Sequence, residues 1–406
     1  MEILTIIYLG YIFISLYFMS FFIIIYLRNR KDLFKSPKAI KHYSLSLLIP
    51  VYNAEDVIEK TINSVFNSKY ELFEVIAIND GSVDKTEEKI KKLMKKYSKL
   101  KLISKKKSGK ADSLNQGIKK AKGELIAVVD ADSYPNPDAI SKMVGFFNDE
   151  KVAAVTNAIM VKNKKKFLEI LQAFEYSVIA WTRKLLDYVD CVYVTNGPLS
   201  IYRATALRQI GGFDPKNMTE DIEVTWHLIS EGYTTKMCLN AKTYTIVPST
   251  FKEWKKQRIR WNIGGLQTVF KYKSFFLRKN MLGYFILPFF VVSMILGIIG
   301  LSIFIYLFIR RFLVAYFSVS YSMYAQTAIL TAQEINLNPS ILIYFGIVLF
   351  LLGLFFTLFA LKIMKEGQLK KENIFNLGFY LIVYLITFPV LMVISIFKLI
   401  LGKFEW

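Results

Sequence analysis

Four stretches of the chain, residues 3–27, 281–309, 339–361 and 374–397, contain no Asp, Glu, Lys or Arg. Each exceeds the roughly 20 apolar residues that cross a bilayer as a helix, so the pattern predicts four spans. Between the first two, over residues 40–250, it changes to short apolar runs alternating with helical periodicity, at the length of one soluble domain. Residues 45–50, 73–79, 100–104, 125–130 and 152–156 read as buried strands, separated by helices near 55–67, 84–97, 111–121 and 138–147. Strands alternating with helices predict an α/β fold with a mostly parallel, doubly wound sheet.

The resulting organisation is an N-terminal transmembrane helix (1–30), a cytosolic domain (40–250), an interfacial segment (251–280) and a C-terminal region of about three spans (281–406). The first apolar run lacks a cationic leader region and an Ala-x-Ala site and is longer than a signal-peptide core, which reads as a retained anchor. Basic clusters set the orientation. Arg28, Arg30 and Lys31 follow the first span, Lys271, Lys273, Arg278 and Lys279 precede the second, and Lys362, Lys365, Lys370 and Lys371 join the third to the fourth. The positive-inside rule puts all three in the cytoplasm of a multi-pass cell-membrane protein. Residues 310–338 then fall outside, as an exoplasmic or re-entrant helix whose Ser, Tyr, Thr and Gln content suits lipid poorly.

Composition narrows the class. With 53% hydrophobic and 21% charged residues among 406, the chain is neither disordered nor collagenous, nor a small disulfide scaffold. Its two cysteines, Cys191 and Cys238, and two histidines, His42 and His227, make no zinc or redox motif, and the cysteines read as buried thiols. The net charge of +21, with lysines crowding residues 89–110 and 162–166, suits anionic lipid headgroups. No aromatic-interleaved basic platform accompanies it, so nucleic acid is not an expected partner.

Candidate chemistry falls at the carboxyl ends of the predicted strands, where doubly wound sheets bind ligands: Val51-Tyr52-Asn53, Asn79-Asp80-Gly81-Ser82 and Asp130-Ala131-Asp132. Asp130 and Asp132, one small residue apart on an extended segment, point the same way and can engage a divalent ion; alone, the pair also reads as a solvated turn into Pro135 and Pro137. No GxxxxGK[ST] loop is present, so a diphosphate would be held by metal and side-chain cations. Lys110 opens a helix after Gly109 and is either such a cation or one more surface lysine. Thr219-Glu220-Asp221 heads another helix, as caps or with Asp221 as a general base. Gln257-Arg258-Ile259-Arg260-Trp261 just before the second span reads as interface anchoring, or as a diphosphate cation, Arg260, beside an indole platform for a sugar, Trp261. Phe167, Leu171, Phe174, Val178, Trp181 and Leu185 recur at helical spacing, as a helix docking the soluble domain on the membrane or as a core helix.

Taken in order, Val51-Tyr52-Asn53, Asn79-Asp80-Gly81-Ser82, Lys110, Asp130-Ala131-Asp132, Asn196-Gly197-Pro198, Thr219-Glu220-Asp221 and Gln257-x-x-Arg260-Trp261 resemble the membrane-embedded family 2 glycosyltransferases, which include cellulose, chitin and hyaluronan synthases. The phrases around Glu220 and Arg260 are most similar to bacterial poly-β-1,6-N-acetylglucosamine synthases. The resemblance implies a GT-A (Rossmann-like) fold and inverting transfer from a nucleotide-sugar donor, UDP-GlcNAc or another UDP-hexose, with Mg²⁺ or Mn²⁺ as cofactor, to a growing β-linked polysaccharide that is exported. It implies Tyr52 and Asp80 at the nucleotide base, Asp130 and Asp132 at the nucleotide and metal, and Lys110, Gln257 and Arg260 at the diphosphate. Asp221 would be the base, with Asn196, Gly197, Pro198, Glu220 and Trp261 at the acceptor. Two rivals stay open: single-sugar transfer to a lipid, as in ceramide glucosyltransferases, and a non-catalytic transporter or carbohydrate-binding scaffold. Four spans are few for a wide polymer conduit, which leaves room for self-association or a small partner subunit.

Overall fold

The computed structural model describes residues 2–325, 341–365 and 374–403. Its sheet has eight strands: β1 (Leu45–Val51), β2 (Glu74–Asn79), β3 (Leu100–Ser104), β4 (Leu125–Val128), β5 (Ser133–Pro135), β6 (Val152–Val161), β7 (Ser200–Arg203) and β8 (Thr234–Thr245). Their order is β3-β2-β1-β4-β7-β6-β8-β5. The pairs β3/β2, β2/β1, β1/β4 and β6/β8 are parallel, whereas β7 runs antiparallel to both β4 and β6, and β5 to β8. The predicted parallel α/β half is therefore present, and β7 joins it to a second half of which the sequence pattern showed only the start of β6, at 152–156.

Helices cover both faces. Successive residues of a strand point to opposite sides, so Leu45, Leu47, Ile49 and Val51 pack against α2 (Ile58–Phe66), α3 (Thr86–Met94) and α5 (Ala139–Met143). Leu48, Ile76 and Ile78 face the other way, onto α4 (Lys110–Lys120), with α7 (Ala204–Gln209) and α8 (Glu220–Ser230). Because both faces are buried, β1, β2 and β4 read as continuous apolar runs.

Two longer helices, α6 (Phe167–Asp187) and α9 (Phe251–Lys271), join this domain to α1 (Glu2–Asn29), α10 (Leu287–Tyr324), α11 (Ile341–Met364), α12 (Ile374–Phe379) and α13 (Leu385–Ile400). Segments Thr5–Asn29, Leu282–Tyr324, Gly346–Met364 and Ile374–Ile400 are each long and apolar enough to cross a membrane. The stripe on α6 meets them directly: the Trp181 ring lies 6.2 Å from Tyr26, 5.0 Å from Phe356 and 5.7 Å from Phe359, and Phe174 lies 5.8 Å from Tyr380. Most of the stripe is therefore buried inside the protein, between the sheet domain and the apolar helices.

Helix α10 does not stop near residue 309. It continues through Arg310 and Arg311 to Tyr324, 38 residues in all, or about 57 Å at 1.5 Å per residue, against a hydrocarbon core of about 30 Å. Of the segment expected to be exoplasmic or re-entrant, residues 310–324 thus prolong the second long apolar helix, and 326–338 lie outside the described residues, as do Lys370 and Lys371.

Candidate active site

A cavity of about 310 Å³ opens where the carboxyl end of β4 meets α6, α8 and α9. Lining it are Lys110, Asp130, Asp132, Asn196, Gly197, Pro198, Glu220, Asp221, Gln257, Arg260 and Trp261, eleven of the candidates named from sequence. Tyr52 and Asp80 are not among its lining residues. Tyr52 is exposed beyond β1, with the Lys107 ammonium 4.3 Å from its ring. Asp80, beyond β2, is ion-paired with Lys105 and accepts the backbone N–H groups of Ser108 at 2.9 Å and Gly109 at 2.8 Å. Asp80 thus ties down the loop that delivers Lys110, and Gly109 makes the turn into α4 at φ +100°, where a side chain would be strained.

Local folding explains the convergence. Beyond β4 the Asp130 N–H donates to the Gly197 carbonyl at 3.1 Å, which pins the Asn196–Pro198 turn against the acid pair. A Cβ at residue 197 would lie 2.5 Å from Asp130 Oδ2 and 2.7 Å from Lys110 Nζ, so any side chain there would push both groups from their places. At the head of α8, Met218 N–H donates to Gln267 Oε1 and Asn217 Nδ2 to Thr268 Oγ1, both at 2.9 Å, so the turn carrying Glu220 and Asp221 is fastened to α9. Thr219 occupies the N-cap position but its side chain caps nothing; it bonds Asn217 Oδ1 at 3.3 Å instead.

The electrostatics follow from crowding. Lys110 Nζ lies 2.7 Å from Asp130 Oδ1 and 2.8 Å from Glu220 Oε1. Burial works to lower the Lys110 ammonium, but Asp130, Glu220 and Asp221 outweigh it and raise it. Burial works to raise Glu220, and Lys110 outweighs that, holding the carboxyl below its ordinary value. Asp221 goes the other way: burial, then Glu220, push it up to about 6. Its Oδ1 accepts only the neighbouring Ile222 N–H, at 2.9 Å, among the described hydrogen bonds. Asp132 is likewise pushed up to about 6, by burial and then by Asp130.

Two carboxylates that line one cavity and repel each other, Asp130 pushing Asp132 up, fit a hard divalent cation even with the Lys110 ammonium beside Asp130. No group of three or more His, Cys, Asp or Glu among the described residues could hold a metal. The pair would therefore supply part of the shell and leave the rest to ligand oxygens and water.

Sequence reading missed a further part of the cavity wall, Tyr176, Ile179 and Arg183 of α6 together with Tyr193. Arg183 lies four residues from Ile179, so the helical period that revealed the apolar stripe also places these side chains on one face.

The sheet with its acid pair beyond β4, and helices on both faces, defines a GT-A fold. A mannosyltransferase from Pyrobaculum calidifontis, solved with GDP-Man and Mn²⁺, superposes with a TM-score of 0.58 over 97% of this chain and 99% of that one, at 16% identity. Residues 46–211 match the model of glycosyl transferase family 2. Over 229 residues it is 34% identical to a poly-beta-1,6-N-acetyl-D-glucosamine synthase of Staphylococcus aureus, covering 56% of each chain. Over 247 residues it is 32% identical to the Staphylococcus epidermidis protein of the same name, covering 60% of each. The chain therefore spans little more than half the length of these relatives.

Proposed function

We propose that this chain is a membrane-bound, inverting hexosyltransferase that moves a sugar from a nucleotide-sugar donor, UDP-GlcNAc or another UDP-hexose, onto a growing β-linked saccharide. What carries the reading is one juxtaposition: the Asp221 carboxylate shares a cavity with the Asp130/Asp132 pair, with Lys110 and Arg260, and with the Trp261 indole. Lys110 and Arg260, with Gln257, neutralise and orient the donor diphosphate; Tyr52 and Asp80 flank the base beyond β1 and β2. A divalent ion on Asp130 and Asp132, Mg²⁺ or Mn²⁺, supplies further charge neutralisation when bound. Asp221 takes the proton of the acceptor hydroxyl as its oxygen attacks the anomeric carbon from the face opposite the diphosphate. The new C–O bond forms, the bond to the diphosphate breaks with its electron pair leaving on phosphate oxygen, and the configuration inverts. Trp261 offers its ring face to the acceptor, with Asn196, Gly197, Pro198 and Glu220 beside it.

The same proposal puts the catalytic domain in the cytoplasm of a multi-pass protein, with a polymer exported past the spans as the favoured product. Purified full-length protein given labelled UDP-sugars and Mg²⁺ or Mn²⁺ tests this: polymer that disappears on chelation and returns with metal is expected. Products carrying one sugar on a lipid would favour the second reading, motivated by α9, which carries Arg260 and Trp261 and packs directly on α13. Absence of transfer with every nucleotide sugar would defeat both.

A further inference from the structure

Of the three cations lining the cavity, Lys110 and Arg260 are assigned to the diphosphate; Arg183 has no part in the proposed transfer. It is 5% exposed. Its Nη1 donates to Asn196 Oδ1, its Nε is buried without a hydrogen-bond partner, and it enters no ion pair among the described residues. Burial holds the guanidinium below its ordinary value, and the Tyr193 hydroxyl, then the nearby charge of Asp221, offset this only in part. Buried charges are ordinarily paired, because an uncompensated one is costly. Elsewhere in this domain they are: Arg258 has Glu175 at 2.8 Å and Lys184 has Asp187 at 2.6 Å. Arg183 instead faces the cavity among Tyr176, Ile179 and Tyr193, whose ring lies 5.8 Å from the guanidinium carbon. That wall is aromatic and apolar around one planar fork of donors, the geometry that takes a carboxylate or phosphate with two parallel hydrogen bonds.

We propose that Arg183, with Asn196 and Tyr193, forms an acceptor subsite for an oxyanion, so that the natural acceptor is a saccharide carrying an acidic group close to the hydroxyl that is extended. The oxyanion is either a uronate carboxylate or a phosphate linking the saccharide to a lipid. This rests on the transferase reading for the word acceptor, whereas the oxyanion site itself rests on Arg183.

The full-length protein in detergent is titrated with methyl glucuronide against methyl glucoside, and with farnesyl phosphate against farnesol. Binding is followed by tryptophan fluorescence, with and without saturating UDP and Mg²⁺ to occupy the Lys110 and Arg260 side. At least one acidic probe is expected to bind ten-fold or more tightly than its neutral counterpart. R183Q should bring that pair within two-fold, R183K should keep part of the preference, and UDP should bind both variants as it binds wild type. The glucuronide arm identifies a uronate and the farnesyl arm a lipid phosphate. Equal binding of acidic and neutral probes by wild type, or a preference that survives R183Q, overturns the proposal. If R183Q does not fold, the wild-type comparison and R183K decide it. Transfer that fails with every donor while the preference persists removes the transferase reading and leaves the oxyanion site standing; transfer without the preference does the reverse.

Discussion

A methyl group at Gly197 separates damage to the site from damage to the fold. In Gly197→Ala the new carbon would lie 2.5 Å from Asp130 Oδ2, 2.7 Å from Oδ1 and 2.7 Å from Lys110 Nζ, where ordinary contact begins at 3.4 Å. The backbone cannot yield, because the Gly197 carbonyl accepts the Asp130 N–H at 3.1 Å and both strands behind it, β4 and β7, are paired in register. What moves is the carboxylate, by about 1 Å, and a misplacement of that size in a positioned group costs about 100-fold in rate, or about 2.7 kcal/mol at 1.36 kcal/mol per decade. The moving atoms end a side chain at a cavity wall, so the fold loses little, about 1 kcal/mol or a Tm shift of a few degrees. The assay is release of nucleoside diphosphate against metal concentration, alongside thermal unfolding. Turnover should fall by about two decades with a raised metal midpoint and near-native unfolding. Gly265→Ala, whose Cβ would meet nothing within 4 Å, is the control that should change neither. Turnover within three-fold of wild type, at an unchanged metal midpoint, would refute the argument that Gly197 sets the position of Asp130.

Asp221→Asn should lower transfer by about 10²–10⁴-fold while UDP affinity stays as in wild type; full transfer by a folded variant removes the base assignment. Because burial and Glu220 push Asp221 up to about 6, the base is protonated and idle below that pH, so kcat/KM should climb ten-fold per pH unit towards about 6 and level above it. A limb near the ordinary aspartate value, about 3.9, would contradict that environment. Tyr384→Phe removes a hydroxyl that donates to Glu175 Oε2 at 2.7 Å and accepts from Trp254 Nε1 at 2.8 Å. It should raise the KM for acceptor several-fold with donor hydrolysis unchanged, and equal losses in both would show a general defect instead.

What the sequence disclosed was what periodicity encodes. β1 and β2 differ from expectation by one residue each, because strands buried on both faces leave near-continuous apolar runs, and β3, a partly exposed edge strand, occupies the residues predicted, 100–104. β8 escaped because Thr and Lys share its twelve positions with the core residues, although Thr235, Met237, Leu239, Ala241, Thr243 and Thr245 alternate towards the interior. β5 and β7, three and four residues long, are too short for any period to register. Within the site, residues in compact motifs such as Asp130-Ala131-Asp132 were legible, as were Arg260 and Trp261. Arg183 was not, because a single cation on a helix with an apolar stripe looks like a solvated face until the fold closes a cavity over it. That Asp130 and Asp221, 91 residues apart in sequence, share one cavity is likewise a product of the chain's path through β7, a strand that no local pattern specifies, although the helix headed by Asp221 was legible.

The spans and the site are also less separable than the alternation of apolar and charged segments implies. Arg258, between the two site residues Gln257 and Arg260, points away from the cavity. It bonds Glu175 of α6 at 2.8 Å and lies 4.1 Å from the Trp261 ring. Tyr384, which shares the Glu175 oxygen, sits at the end of a widened helical turn, Tyr380–Tyr384, in the fourth apolar segment. Such irregular turns in helices often mark functional positions. A buried ion pair of this kind contributes little net stability, since desolvating both charges offsets their attraction; what it contributes is a single permitted geometry. Here that geometry fixes the face of Trp261 relative to both the docking helix and the fourth apolar segment. A displacement of that segment past α6 would have to break a buried hydrogen bond or turn the indole, so the ring proposed to receive the acceptor and the helix proposed to cross the membrane move as one body.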